Sequence, residues 1–287
     1  MFNLVQCGDI TLYFSWDRIY IRQTGNTQTY ELFQVFKKQY CQGCFNYNRN
    51  VRQDKQKVYF IHEQRQLKII DVLANPRQMI DARTHLDNVD TFTIVGNRLF
   101  TLIEQGVVCR HSLSTGRLLK RRNLAIPGEE KWYTTIETFG EQILVCALDK
   151  SYFKKSSNRI YLLDATTLSV LDTYTVESVS TKLKKSKCYP NPMHIVKPLR
   201  VKGFPVILVA NLFFSLQLFS TNKGRLHFLD SKKIHSDALH GFLEVPNDET
   251  RVILFDGWET VQYISVWQDD LSTIQKITPP IRPIILK

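Results

Sequence analysis

Two cysteines have the spacing of a chemical site. Cys41 and Cys44 are separated by two residues, which supplies half of a zinc site, and Cys7 and His62 are the nearest further ligands in sequence. As a redox pair, the two thiols would need the βαβ setting that lowers a thiol pKa. A chain of 287 residues needs no disulfides to hold its core. We therefore favour structural thiols and keep Cys41 and Cys44 as the candidate metal pair.

Catalytic signatures are missing elsewhere in the sequence. The seven histidines never stand two or four residues apart, so no strand or helix presents a ready pair of imidazole ligands. The phosphate-cradling loop, the dinucleotide-binding turn, the nucleophile elbow and the His-Glu-x-x-His motif are all absent. We therefore predict that the protein is not an enzyme and that it binds no cofactor.

Positive charge is the strongest chemical signal in the chain. The sequence has 38 Lys and Arg against 27 Asp and Glu, a formal net charge of +11. Between residues 150 and 202, eleven cations less three anions leave +8 in this window alone. Two non-periodic insertions, near 149–158 and 177–192, carry the candidate partner-binding lysines, which are Lys150, Lys154, Lys155, Lys182, Lys184, Lys185 and Lys187.

Three kinds of partner would suit these lysines. An acidic protein surface and anionic lipid head groups offer opposite charge. RNA offers phosphates, together with bases that can stack on Tyr152, Phe153 or Tyr189. The remaining interpretation is a solvated loop that its own charge keeps extended.

No segment has the pattern of a membrane anchor or a secretory leader. The most apolar stretch, 206–219, has 14 residues and contains Asn211, Ser215 and Gln217, so it is too short and too polar to cross a bilayer. The N-terminus has neither a cationic region nor a long apolar run. The six cysteines are scattered. We therefore expect an intracellular protein, cytoplasmic or nuclear, without a transmembrane segment.

The elements that must position these loops repeat along the chain. Six times, a short β-rich run enters a polar turn and leaves it as a second β-rich run. The polar residues that anchor these turns, 40 to 56 residues apart, are Arg22, Asp71, His111, Asp164, Ser220 and Gln268. Upstream of each turn lies a continuous apolar run, and these runs are 11–14, 58–61, 99–103, 143–146, 206–209 and 252–255. Continuous apolar runs predict strands buried on both faces.

Weaker strands further upstream, at 91–95 and 133–137, bring each unit to about four strands. Four short strands repeated at this period describe the blade of a β-propeller, in which each sheet buries its faces against its neighbours. We therefore predict an all-β fold, a single β-propeller domain of six or seven four-stranded blades over residues 1–287, with the basic insertions as loops.

Three of the repeated units give the chain a family resemblance. Residues 109–120, 160–171 and 266–276 each have a strand, a polar residue where a Trp-Asp pair would end it, and a Ser/Thr-rich turn into an outer strand. They resemble the end of a WD-repeat, although no Gly-His dipeptide precedes the strands. A rigid ring that presents many loops suits recognition. We therefore predict a non-catalytic WD-repeat-like scaffold, a subunit whose partners are other proteins. The alternative is an RNA- or anionic-lipid-binding propeller that uses the Lys-rich patch at 150–202.

Overall fold

Every regular element that the structure describes is a β-strand. The computed structural model describes residues 3–7, 10–14, 18–23, 31–35, 51–62, 66–74, 79–81, 89–103, 106–149, 157–177, 195–201, 204–211, 215–233, 241–245, 248–255, 261–265 and 273–277. Within these stretches, no helix has the length and apolar character that a membrane crossing requires.

In the described residues, the strands form six four-stranded antiparallel sheets, each built from four consecutive strands in chain order. The first three sheets contain β1 (Asn3–Cys7), β2 (Ile10–Phe14), β3 (Arg18–Gln23) and β4 (Glu31–Val35); β5 (Val51–Asp54), β6 (Lys57–His62), β7 (Gln66–Asp71) and β8 (Met79–Asp81); and β9 (Val89–Val95), β10 (Arg98–Ile103), β11 (Val107–Ser112) and β12 (Leu118–Asn123). The other three contain β13 (Lys131–Phe139), β14 (Gln142–Asp149), β15 (Ser157–Asp164) and β16 (Val170–Glu177); β17 (Ile195–Val201), β18 (Phe204–Asn211), β19 (Ser215–Asn222) and β20 (Arg225–Lys233); and β21 (Gly241–Val245), β22 (Asp248–Phe255), β23 (Val261–Ser265) and β24 (Thr273–Ile277).

The continuous apolar runs are the second strands of these sheets. A second strand lies between two neighbours, as β14 does between β13 and β15. Pairing on both sides leaves such a strand no open edge, and where its two faces are also covered no polar alternation is needed. In β14 the run Ile143–Ala147 is buried throughout, as is Leu99–Leu102 in β10. Together with 58–61 in β6, these runs confirm the prediction of strands buried on both faces, whereas most side chains of 11–14, 206–209 and 252–255 lie outside the described residues.

Contacts divide the chain into two compact units. One contains the first two sheets together with β9, β10 and Cys109–Arg121 of the third. The other contains Gln105–Val108 and the fourth, fifth and sixth sheets. The single-domain organisation over 1–287 stays a prediction.

In the first unit, strand β6 supplies both of its faces to a core. Val58 and Phe60 point to one face, where they pack with Leu12 and Ile19 of the first sheet. The alternate residues, including Tyr59, pack on the other face with residues of the third sheet such as Phe92 and Leu99. Side chains of a strand alternate between its faces, so one apolar run feeds two cores.

In the second unit, the fourth and fifth sheets share a core of their own. Leu144 and Leu162 of the fourth sheet pack with Ile207 and Phe219 of the fifth. The ring of Tyr174 on β16 meets the edge of Phe219, with centroids 4.9 Å apart. The outer strands are also tied directly, because Asp172 Oδ2 accepts a hydrogen bond of 2.7 Å from the backbone N–H of Leu226.

The third strand of a sheet ends in a side-chain cap. In the fourth sheet, Asp164 Oδ1 accepts hydrogen bonds from the N–H groups of Thr166 (2.9 Å) and Thr167 (2.6 Å) and from the Thr167 hydroxyl (2.8 Å). In the second sheet, Asp71 Oδ1 accepts one from the N–H of Leu73 (3.2 Å). A short acidic side chain satisfies turn N–H groups that no strand partner reaches. This explains a polar residue at these two repeat anchors.

A backbone hydrogen bond next to each cap joins the two turns at this end of the sheet. The residue after the third strand donates its N–H to the carbonyl of the turn between the first and second strands, at 2.9 to 3.0 Å. The donor and acceptor pairs are Val72 and Gln56 in the second sheet, Leu113 and Asn97 in the third, and Ala165 and Glu141 in the fourth. We call this end of a sheet its turn end.

The repeat anchors fall at or near the ends of the third strands. Asp71 and Asp164 are the last residues of β7 and β15, whereas His111 stands one residue before the last residue of β11. Ser112 takes the capping position there, with its hydroxyl accepting a bond of 3.3 Å from the N–H of Thr115. The sixth anchor, Gln268, lies outside the described residues, as do 278–287.

Candidate interaction site

The order of the strands places both basic insertions at one end of the fourth sheet. Strand β14 ends at Asp149 and β15 begins at Ser157, so the first insertion leaves and re-enters at that end. Strand β16 ends at Glu177, and the second insertion follows it before Ile195 opens β17. Because neighbouring strands are antiparallel, the end of β14, the start of β15 and the end of β16 coincide. We call this the loop end of the fourth sheet, opposite its turn end.

The predicted binding lysines themselves lie outside the described residues. These are Lys150, Lys154, Lys155, Lys182, Lys184, Lys185 and Lys187. Cys41 and Cys44, the candidate metal pair, also lie outside them. For the lysines, the structure gives the positions in the fold at which their segments attach.

Glu129 holds two cations together at the loop end. Arg159, near the start of β15, donates from Nη1 and Nη2 to the two carboxylate oxygens of Glu129, each at 2.7 Å. The Nζ of Lys131, the first residue of β13, lies 3.6 Å from Glu129 Oε2, and its side chain is 3% exposed. A bidentate pair has a fixed geometry. The pair of Glu129 and Arg159 therefore fixes the segment between β12 and β13 against the start of β15. It also neutralises one cation of the basic window at 150–202.

A buried tyrosine is hydrogen-bonded to the segment between β12 and β13. The hydroxyl of Tyr133 donates to the carbonyl oxygen of Leu124 at 2.9 Å, and the N–H of Leu124 donates to the carbonyl of Gly106 at 2.9 Å. The ring of Tyr133 lies on Gly106, where any Cβ would collide with it, and its centroid is 6.4 Å from that of Tyr161. Burial, reinforced by Tyr161, raises the pKa of Tyr133 above the ordinary value of a tyrosine. Its phenol is a neutral hydrogen-bond donor that positions the segment.

Among the described residues, burial shifts the pKa values of two cysteines and one histidine toward their neutral forms. Burial raises the pKa values of the Cys146 and Cys109 thiols, an effect that Arg121 partly offsets at Cys109. Burial lowers the pKa of His111, against a smaller opposing effect of the Gly116 backbone. The His111 ring lies 3.5 Å from the hydroxyl of Thr101. In the part of the chain that the structure describes, His, Cys, Asp and Glu form no group of three that would hold a metal ion.

The Glu129 cluster is the feature that sequence reasoning missed. Glu129 lies in the connection before β13 and Arg159 lies on β15, 30 residues further along the chain, so no spacing rule connects them. The pairing becomes visible only when β13 and β15 are placed two strands apart in one sheet. The sequence did contain one signal for this cluster. Arg159 lies on a predicted strand within the basic window at 150–202, and an arginine on a strand needs an acidic partner.

Comparison with known proteins identifies the fold. No protein-family model matches the chain, and no curated protein matches it. Among solved structures, a chain of the mitotic checkpoint complex is similar over 96% of this chain and 75% of its own, with a TM-score of 0.62 and 10% identity. The N-terminal domain of Nup159 is similar over 88% and 72%, with a TM-score of 0.56 and 11% identity. BamB from Moraxella catarrhalis is similar over 88% and 68%, with a TM-score of 0.51 and 12% identity.

These three proteins are β-propellers. Sequence identities of 10 to 12% show a common fold and nothing finer. The predicted all-β fold of four-stranded antiparallel sheets is therefore confirmed, and the likeness to propellers with it. The number of blades, the closure of a ring and the WD-repeat family stay predictions.

Proposed function

We propose that the protein is a non-catalytic, WD-repeat-like propeller that binds other proteins as a subunit of an intracellular complex. The observation that carries the proposal is the loop end of the fourth sheet, where two lysine-rich insertions attach beside a rigid base formed by Glu129, Arg159 and Tyr133. Proteins of the same fold occur in assemblies. One of the similar structures is a chain of the mitotic checkpoint complex, which is an assembly by its name.

The base at the loop end favours recognition over chemistry. Its arginine is held by a carboxylate at 2.7 Å, and the pKa of its buried tyrosine is raised by burial, so neither group is set up to exchange a proton near neutral pH. Long connections on a rigid base can reach a partner while the base stays fixed. With a net +8 between residues 150 and 202, the partner surface that fits is acidic.

Charge reversal in each insertion tests the proposal. We would express the tagged full chain in its native source as Lys154→Glu/Lys155→Glu and as Lys184→Glu/Lys185→Glu. The matched control is Lys223→Glu/Arg225→Glu, because both residues are exposed, Lys223 in the turn between β19 and β20 and Arg225 as the first residue of β20. The three variants change the net charge equally. We expect an insertion variant to lose stably bound proteins, measured by quantitative mass spectrometry, and the control to keep them.

Two results would contradict the proposed function. One is a wild-type chain that purifies without any stoichiometric protein partner. The other is a partner that all three variants retain equally, since binding would then not involve the loop end. Circular dichroism of each purified variant establishes that the sheets are intact before either result is interpreted.

A second function is favoured by the same basic window. Eleven cations lie between residues 150 and 202, and Tyr152, Phe153 and Tyr189 stand among them, as in surfaces that hold single-stranded RNA. Anionic lipid is the third candidate. If the insertions bind RNA or vesicles, both insertion variants lose that binding, the logarithm of the affinity falls steeply with the logarithm of the salt concentration, and protein partners remain bound.

A further inference from the structure

Strand β12 is an exposed edge that nothing covers in the described part of the chain. It is the terminal strand of the third sheet, paired on one side only, with β11. All six of its residues are exposed, including Leu118 at 50% and Leu119 at 46%. The backbone of an edge strand has a row of N–H and C=O groups that a further strand can pair with.

The corresponding strands of the next two sheets are packed against neighbours. On β16, Asp172 accepts the hydrogen bond from Leu226 and Tyr174 packs on Phe219. On β20, Leu226 is 8% exposed. Among the fourth strands whose side chains the structure describes, β12 alone has neither a buried residue, as β20 has in Leu226, nor a half-buried one packed against a core, as β16 has in Tyr174. Its exposure is therefore a property of this strand and not of the fourth position in general.

The chemistry of the edge changes along its length. The order is Leu118, Leu119, Lys120, Arg121, so each face of the strand presents one leucine followed by one cation. Arg117, immediately before the strand, is exposed as well. These side chains have no acidic partner within the described residues. An extended segment that pairs with this edge would complement it with two apolar residues next to two acidic ones.

The edge is also held in place. The N–H of Ser112 donates to the carbonyl of Arg117 at 3.0 Å, and the N–H of Gly116 donates to the carbonyl of Ser112 at 2.8 Å. The side chain of Asn97 on the adjacent turn accepts from the N–H of Ser114 at 3.0 Å. A fixed turn orients the start of β12, so a partner strand does not have to order it on binding.

We propose that Leu118–Arg121 of β12 is a docking edge for an extended acidic segment of a partner protein, which adds a fifth strand to the third sheet. Main-chain hydrogen bonds would supply affinity, and the leucines and cations would select the sequence. A peptide fits better than RNA, because RNA has no strand-spaced amide groups and would leave the two leucines exposed. The edge belongs to a different sheet from the basic insertions, so the inference does not depend on the proposed function.

Synthetic peptides provide the direct test. Two short capped peptides with cores Val-Val-Glu-Glu and Glu-Glu-Val-Val cover the parallel and antiparallel orders. Binding to the full-length protein is measured by fluorescence anisotropy. We expect one of the two peptide orders to bind. Lys120→Glu/Arg121→Glu should lower the affinity for that peptide by about tenfold or more, because attraction becomes repulsion at two positions. The control Lys223→Glu/Arg225→Glu, with the same change of net charge, should bind as the wild type does.

N-methylated peptides test the strand pairing separately from charge. Methylating alternate amides along one edge of the peptide removes N–H donors and leaves its charge unchanged. We expect one of the two alternate methylation patterns to abolish binding, because an added strand pairs through one edge only. Lys120→Gln/Arg121→Gln, which removes charge without reversing it, should weaken binding less than the Glu variant and serves if the Glu variant unfolds.

Three results would overturn the inference. The first is that neither peptide order binds. The second is that both methylated forms bind as tightly as the parent peptide. The third is that the Lys120 and Arg121 variants lose binding to single-stranded RNA while no peptide binds the wild type. Loss of peptide binding does not affect the test of the insertions, because that test uses other residues and other variants.

Discussion

At the scale of single residues, Gly106 has the least tolerance of a side chain among the glycines whose surroundings the structure describes. Its φ is +83°, in the left-handed region, and a Cβ there would run into the ring of Tyr133. That ring cannot swing away without breaking the bond from its hydroxyl to Leu124. We expect Gly106→Ala to lower the free energy of unfolding by about 3 kcal/mol, from backbone strain and overpacking together.

Gly96 is the matched control for this prediction. Its φ is +52°, and nothing lies within 4 Å of an added Cβ. Gly96→Ala should therefore cost only the backbone strain, about 1–2 kcal/mol. Urea denaturation of both variants measures the difference. Equal losses at the two glycines would mean that Tyr133 does not restrain the space above Gly106.

His111 gives the stability a dependence on pH. Burial lowers its pKa in the folded protein, so near its ordinary pKa the unfolded chain binds a proton that the folded chain does not. The free energy of unfolding should fall as the pH drops below about 6.5, by at most about 1.4 kcal/mol per pH unit from this residue, until the lowered pKa is reached. Well above about pH 6.5, His111 adds nothing to the pH dependence of the free energy of unfolding.

The measurement is chemical denaturation at a series of pH values. His111→Gln, which keeps a polar group near Thr101, should remove this part of the slope, whereas replacing the exposed His227 by Gln should leave it. A slope unchanged by His111→Gln would show that other groups carry it.

Single residues were also where sequence reasoning was least complete. The polarity of Asp71 and Asp164 at the repeat anchors was visible in the sequence, and the caps explain it. At the third sheet the chosen anchor was His111, although Ser112 makes the cap. Both are polar, and position along a strand cannot distinguish them without the turn geometry.

At the scale of elements, the cap at the end of β15 should contribute measurably to stability. Asp164 Oδ1 accepts three hydrogen bonds, whereas Asp71 Oδ1 accepts one from a turn N–H. We expect Asp164→Ala to cost about 1–2 kcal/mol and Asp71→Ala about 0.5–1 kcal/mol. Asp164→Asn keeps an acceptor oxygen and should recover most of the loss.

Hydrogen exchange at the Thr166 and Thr167 amides measures this cap directly, because both N–H groups donate to Asp164. Their exchange should accelerate in Asp164→Ala and remain slow in Asp164→Asn. Slow exchange in the Ala variant would mean that the backbone bond from Ala165 to Glu141 is sufficient to hold the turn.

Strands were predictable because their burial pattern differs by position in the sheet. All six continuous apolar runs coincide with second strands, and 91–95 and 133–137 fall in the first strands β9 and β13. The outer strands were predicted from their place after each polar turn, without support from a burial pattern. Strand β12 reads Leu-Leu-Lys-Arg-Arg-Asn and buries none of these residues, so its sequence has no periodicity to detect.

At the scale of the whole molecule, the repeat predicted the fold and could not predict the site. A period near 49 residues implied modules of four strands, and six such sheets are present in the described residues. The partner surface depends on which strand ends coincide, which is a property of the sheet. The link from Glu129 to Arg159 and the shared end of the two insertions emerge only from that arrangement.

The two ends of the fourth sheet differ in how much chain they can accept. At the turn end, Gly140–Glu141 joins β13 to β14 with no spare residue, and the bond from Ala165 to Glu141 fixes its length. Between Asp149 and Ser157, and between Glu177 and Ile195, the chain is already long. An epitope or a reporter domain spliced into either long connection should leave the register of the strands unchanged. The same splice at 140–141 would force the hairpin open.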